Sequence, residues 1–414
     1  MNRRDFLFSL AAGSGMLLPI GGNAWAAQAG NGMPTKNKLI VIMLRGAVDG
    51  LNVVAPYGDS NYARLRPGIA LPRPGQEAGA LDLDGYFGLH PALADLGDLW
   101  QQKKLAFVHS SGSPDTTRSH FDAQDYMESA TPGRKSTQDG WMNRLLASLP
   151  GQTTPTRGVS VGAVMPRILS GSVAATNIAS GAAGTKANVL DRPKVGSAFE
   201  ALYKDNDKYA KAFGDAKEAH QEMMGASMEN EQQAADGGAP LPNGFPDDST
   251  RIATLMRNDP KIQMVFMALG GWDTHANQGA GKGQLANRLS PLGLGLANLA
   301  RRLGPLFDDT TIVVMSEFGR TAKQNGNGGT DHGHGNVMWI LGGKVAGGKV
   351  YGDWRGLASD QLYEGRDLAV TTDFRSVLAQ ICERHMGLSD NQLVKVFPDH
   401  GFARANFNLY QGKA

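Results

Sequence analysis

Residues 38–46 read KLIVIMLRG. The run from Leu39 to Leu44 is too rich in Ile and Val for a surface helix and too short for a core one, so it reads as a buried strand. Four later runs have the same character: KLAFVHSSG (104–112), IQMVFMALGG (262–271), TIVVMSEFG (311–319) and VMWILGG (337–343). Helical patterns lie between several of them, notably PALADLGDLWQQ (91–102) before the second and QLANRLSPLGLGLANLARRLGPL (284–306) before the fourth. Strand and helix in alternation predict an α/β fold with a mainly parallel sheet and helices on both faces. In such sheets ligands bind outside the carboxyl ends of the strands.

Working outward, the N-terminal stretch MNRRDFLFSLAAGSGMLLPIGGNAWAAQAG carries paired Arg3 and Arg4, an apolar run to Ile20 and small-residue exits ending at Ala29. That pattern predicts a twin-arginine signal peptide over 1–29, and hence a periplasmic or secreted protein handled by the twin-arginine translocase. The apolar run is shorter than the roughly 20 residues that span a bilayer, and no later stretch is long enough, so no integral membrane segment is expected after cleavage. Residues 30–414 are expected to form a single α/β domain. A formal charge of +2 gives no reason to expect nucleic acid as a partner. Cys382 is the only cysteine, which excludes an internal disulfide; in TTDFRSVLAQICERHMG it falls at helical spacing with Phe374, Val377, Leu378 and Ile381 and reads as core.

One segment stands apart. From Phe199 to about Gln233 charges mix with apolar residues at helical spacing, and ADGGAPLPNGFPDD follows. A helical insertion with a flexible linker is expected at about 195–248. Its Met223, Met224 and Met228 read as core.

The polar clusters fall in the loops after the strands. RGAVDGLN places Asp49 in a Gly-flanked turn after the first, and GGWDTHANQ puts Asp273 and His275 two apart after the third, on one side of an extended chain. After the fourth, SEFGRTAKQNGNGGTDHGHG adds Glu317, Arg320, Asp331, His332 and His334. Carboxylates and neutral imidazoles offer a hard oxygen and a nitrogen to a metal, and glycine lets the backbone come close, so a metal site is expected from Asp49, Asp273, His275, Asp331, His332 and His334. Glu317 and Arg320 are expected behind the ligands or facing an anion. After the second strand, HSSGSPDTTRSHFDAQDYMESATPG pairs Ser119 with Asp122 as in a capping box, predicting a helix from Ser119 through Met127 whose N-terminus attracts an anion. Ser119 then either caps the helix or acts as a nucleophile.

LRGAVDGLN, RSHFDAQ, GWDTHANQ and SEFGRT…NGNGGTDHG, in this order behind a twin-arginine leader, resemble the exported bacterial family known as domain of unknown function 1501, related in fold to alkaline phosphatases and sulfatases. The resemblance implies an alkaline-phosphatase-like α/β/α sandwich in which an acidic residue after the first strand, a hydroxyl nucleophile at a helix N-terminus and later Asp/His pairs surround one or two divalent metals. Asp49, Ser119 or Thr117, Asp273/His275 and Asp331/His332 are the matching positions. The hydrolase relatives space the first Asp and His by four and carry a further His in a late loop; here the spacing is two, GGKVAGGKVYGDW has no His, and His120 crowds the nucleophile position.

Two functions follow. One is a metal-dependent hydrolase or transferase of a phosphate or sulfate ester, on a small-molecule or polymer substrate, with Zn, Mn, Mg or Ca as cofactor: Ser119 or Thr117 attacks, Arg118 steadies the anion and His120 moves protons. The other is a non-catalytic exported protein that keeps the fold and binds a metal, a ligand or a cell-surface polymer.

Overall fold

The computed structural model describes residues 36–152, 154–181, 234–399 and 401–410. The expected leader and the expected helical insertion, with its three methionines, lie outside the described residues.

In chain order the strands are β1 (Lys38–Leu44), β2 (Val54–Ala55), β3 (Leu81–Asp82), β4 (Gly88–Leu89), β5 (Leu105–Gly112), β6 (Gly158–Val161), β7 (Thr176–Ile178), β8 (Met264–Leu269), β9 (Thr310–Ser316), β10 (Asn336–Gly342), β11 (Lys349–Tyr351) and β12 (Thr372–Asp373). One sheet runs β11-β5-β10-β9-β1-β8-β6-β7 with β12 beside β5, and β2, β4 and β3 form a small second one. All five expected strands are in the large sheet, with β1 at its centre, parallel to β8 and β9.

β1 shows why the fold has three layers. Ile40, Ile42 and Leu44 pack into one core with two helices, α3 (Phe245–Asn258) and α4 (Gln284–Leu303). The alternate residues Leu39, Val41 and Met43 pack on the opposite face, with α2 (Trp141–Ser148) and α5 (Phe374–Arg384). Side chains alternate across a strand, so a continuous aliphatic run is stable only with apolar layers on both sides. Cys382 is buried in the second core, as its spacing predicts.

The sheet is mainly parallel, with one exception that positions the site. β10 runs antiparallel to both β9 and β5. No helix separates β9 from β10, so the chain does not cross back, and the whole connection 317–335 starts and ends at the same edge of the sheet. That edge also receives the carboxyl ends of β1, β5 and β8.

Three expectations change. PALADLGDLWQQ is a 3-10 segment (Pro91–Leu96), kinked at Leu93, followed by a short helix (Gly97–Gln101). The capping box at Ser119 is absent: helix α1 (His120–Ser129) starts there, but the Ser119 side chain makes no cap bond and Asp122 pairs with Lys135 at 2.8 Å. The expected linker is packed: Ala235 is buried, Asp236 Oδ1 accepts from Gly271 N at 2.6 Å, and FPDD opens α3. Pro and Gly there mark turns against the exit of β8 rather than slack chain.

Candidate metal centre

His120 is the first residue of α1, Asp273 and His275 follow β8, and His332 comes late in the 317–335 connection. The connection folds back so tightly that a side chain would not fit at two of its glycines. A Cβ on Gly329 would stand 2.4 Å from the His275 carbonyl carbon, and one on Gly333 2.4 Å from that of Arg320. The glycines of NGNGGTDHGHG therefore let His332 come against His275 and against α1.

Three imidazole nitrogens converge. Nε2 of His332 lies 3.0 Å from Nε2 of His120 and 3.1 Å from Nε2 of His275. Asp273 joins them, with Oδ1 at 3.0 Å from His275 Nε2 and 3.4 Å from His332 Nε2, and Oδ2 at 3.6 Å from His120 Nε2. His120, Asp273 and His332 have ligand atoms close enough to share one ion.

Each ring's other nitrogen has an acceptor. His120 Nδ1 donates to Glu317 Oε1 at 2.7 Å, His332 Nδ1 to the Arg118 carbonyl at 3.0 Å, and His275 Nδ1 faces Asp331 Oδ1 at 3.3 Å. With Nδ1 carrying the proton, Nε2 presents its lone pair, the tautomer that metal-binding histidines adopt. The Nε2 lone pairs of His120 and His275, each aimed at that of His332, repel it unless a cation or shared protons lie between them. For zinc bound at 2.0–2.1 Å a tetrahedron has donor–donor edges of about 3.3 Å, close to the spacing found.

Charge agrees. Among the described residues, charged side chains beside these rings and the Asp273 carboxylate include Glu317, Asp331 and Arg320, whose Nη2 lies 2.8 Å from Asp273 Oδ1. Three carboxylates and one guanidinium leave two negative charges beside neutral imidazoles, matched by one divalent cation. Without it, protons must serve: burial pulls the His120 imidazole down, but Asp273 and Glu317 outweigh burial and hold its pKa at about 9. Burial prevails at His332, whose pKa is lowered. Glu317 is buried and still kept ionised, because His120, Gln124 and the Gly46 N–H all bind its carboxylate. An imidazole-rich donor set suits zinc or another first-row ion better than Mg or Ca, which take oxygen ligands.

The remaining expected residues are placed elsewhere. Asp49 is not brought to the imidazoles: fully buried, it is held by Arg66 Nη1 at 2.5 Å and Gln278 Nε2 at 2.6 Å. Asp331 stands behind His275. His334 turns away and packs its ring on Tyr363, 4.8 Å between centroids, and burial lowers its pKa. Arg118 is occupied by Glu364 and Asp367, at 2.9 and 2.8 Å, so its guanidinium is already paired and its carbonyl is what serves the site. Thr117 Oγ1 accepts from Ser119 N at 3.2 Å, while the Ser119 hydroxyl is exposed. Arg320 is buried with Nε and Nη1 meeting no acceptor among the described residues.

Gln124, to which no motif assigns a role, ties Glu317 to the Ala235 carbonyl, and His120, expected as a proton mover, is a member of the cluster. The spacing His120–Gln124, four apart on one helix face, was the available signal.

Residues 99–397 match the family described as "Protein of unknown function (DUF1501)". The chain belongs to this family. No curated protein matches it. Among solved structures, Ps i-CgsB in complex with k-i-k-neocarrahexaose aligns over 86% of this chain and 74% of that one at 11% identity and a TM-score of 0.42. The lipoteichoic acid synthase LtaP from Listeria monocytogenes aligns over 88% and 75% at 9% identity and 0.35. The C-terminal periplasmic domain of EcEptC from Escherichia coli aligns over 91% and 90% at 11% identity and 0.39. Likenesses this distant carry no chemistry across to this chain.

Proposed function

We infer that the protein is an exported, metal-dependent hydrolase or transferase of a phosphate or sulfate ester. The observation that supports this is the convergence of three imidazole Nε2 atoms and Asp273, each ring braced from behind, at the carboxyl edge of a mainly parallel sheet. His120, Asp273 and His332 would hold a divalent metal, which would supply Lewis acidity toward an ester oxygen. The chain's own residues do the rest. Arg320 adds a fixed positive charge beside Asp273, with Nε and Nη1 still without acceptors among the described residues. Ser119, next to His120 and free of any capping duty, is the hydroxyl we assign as nucleophile, at the electropositive end of α1. His275, held by Asp331 and about one-third exposed, moves a proton at the leaving group.

A second reading starts from His275 Nε2, 3.1 Å from His332 Nε2 and 3.0 Å from Asp273 Oδ1. As a further ligand it would help close the shell, as in structural zinc sites, and the protein would bind rather than turn over.

The test is metal content by elemental analysis together with hydrolysis of p-nitrophenyl phosphate and p-nitrophenyl sulfate. We expect near-stoichiometric metal and turnover that Ser119→Ala lowers at least about a hundredfold while metal stays bound. Metal without turnover supports the second reading; neither metal nor turnover overturns both. Export rests on Arg3 and Arg4: changing both to Lys should leave the precursor in the cytoplasm, and undiminished periplasmic protein would refute it.

A further inference from the structure

Beside the metal centre the 317–335 connection leaves a cleft of about 260 Å³ against residues 362–366. Asp331 is part of its wall and also faces His275 Nδ1, so cleft and centre share a side chain. Its lining has three kinds of chemistry. Leu65 and Leu362 are apolar. Gln324 spends its Oε1 on the Gly68 N–H, at 2.7 Å, which fixes the amide and leaves its Nε2 hydrogens to donate. Lys323 and Arg366 bring positive charge: the Lys323 ammonium meets no carboxylate among the described residues, and the Arg366 side chain, 39% exposed, reaches Asp367 and the His332 carbonyl with Nη1 and Nη2.

An isolated surface lysine is solvated and needs no ligand. Here one unpaired ammonium, a guanidinium shared with Asp367, an oriented amide and a half-exposed carboxylate ring two leucines, one side chain from the imidazole cluster. The matching group has C–H faces for the leucines, hydroxyls for Asp331 and Gln324, and negative charge for Lys323 and Arg366. A flat apolar group leaves the polar rim unpaired, and a bare inorganic anion leaves the leucines uncovered.

We propose that this cleft binds an anionic glycosyl unit adjoining the ester at the metal centre, so that the substrate is an ester of an acidic oligo- or polysaccharide. The proposal rests on the reading of the centre as an ester-processing site, but its test does not need turnover. Binding to the metal-loaded protein is measured by calorimetry with a sulfated hexasaccharide, a uronic-acid hexasaccharide and a neutral hexasaccharide, for the wild type, Lys323→Glu and Gln324→Ala. The wild type should bind at least one acidic probe roughly tenfold or more tightly than the neutral one, and Lys323→Glu should remove most of that difference with metal content unchanged. Gln324→Ala should weaken acidic and neutral probes alike, by a few-fold. Equal affinity for acidic and neutral probes, no binding of any, or a Lys323→Glu variant that binds like the wild type overturns the proposal. Absence of ester hydrolysis with these binding differences intact removes only the catalytic reading. Where turnover is found, Lys323→Glu should raise KM for an oligosaccharide ester.

Discussion

Two buried aspartates sit in glycine-flanked turns at the same edge of the sheet, and they end in opposite states. Asp49, after β1, is neutralised by Arg66 in a pocket closed by Gln278, Asn52 and the Thr321 carbonyl. Asp273, after β8, also touches an arginine, yet three imidazoles surround it with their lone pairs inward. The difference lies in what reaches each turn from elsewhere in the chain. Arg66, only seventeen positions from Asp49, completes a neutral pair. The histidines at Asp273 come from its own turn, from the start of α1 and from the 317–335 connection, and leave the site two charges short. An acidic residue at a strand end is therefore an address and not yet a ligand.

The largest effect is expected at the imidazoles. His332→Ala and Asp273→Asn should each bring metal content to about a tenth of the wild-type value or less, measured by elemental analysis, and His275→Ala combined with His332→Ala should lose little more than His332→Ala alone. Wild-type occupancy in His332→Ala would mean that the cluster is held by protons.

At Asp49 the effect should fall on stability. Arg66→Met leaves a buried carboxylate without its partner and should cost about 3–5 kcal/mol in denaturant unfolding, with metal content of the folded fraction unchanged. Loss of metal in Asp49→Asn, with folding intact, would restore Asp49 as a ligand and erase the contrast.

A smaller effect is expected behind the ligands. Glu317→Gln keeps the shape but takes a charge from the acceptor of His120 Nδ1, and should weaken metal binding by about 10–100-fold. No change would mean that Glu317 is structural only.

The smallest effect concerns protons in the metal-free protein. The His120 pKa is raised from its ordinary 6.5 to about 9, so protonation stabilises the fold fully below pH 6.5 and this contribution is lost as pH rises through 9. Buried His90 and His109, lowered to about 4 mainly by burial, act in the other direction: their contribution is present above pH 6.5 and lost as pH falls toward 4. Metal-free protein should therefore lose melting temperature between pH 7 and 9.5, and Glu317→Gln should flatten that slope. A wild-type melting temperature constant over this range would contradict the assigned environment of His120.

Much of this was legible in the sequence because aliphatic runs and strand-end motifs are local signals. β1, β5, β8, β9 and β10 could be read from composition alone, since a strand buried on both faces has few alternatives. The pair Asp273/His275 was legible for the same reason. What could not be read depended on partners distant in the chain. Nothing local to Asp49 announces Arg66, and nothing in TDHGHG says that His332 turns inward while His334 stacks on Tyr363. The direction of β10 was hidden because a strand pattern does not record its orientation; the absence of a helix between β9 and β10 was the clue. The segment ADGGAPLPNGFPDD misled because turns packed against a core share their composition with free linkers.

With its sole cysteine buried, this chain has no disulfide of its own, and the imidazole cluster offers the nearest equivalent. An ion joining His120, Asp273 and His332 fastens α1, the exit of β8 and the 317–335 connection at one point, closing one span of more than 150 residues and a second of nearly 60. In the chain-entropy picture a cross-link closing a loop of about 100 residues restricts the unfolded ensemble by about 4–5 kcal/mol, although strain and residual structure reduce what is realised. A bound ion would thus act as a removable staple. A chelator would then free the sheet edge to open where the substrate is expected to enter.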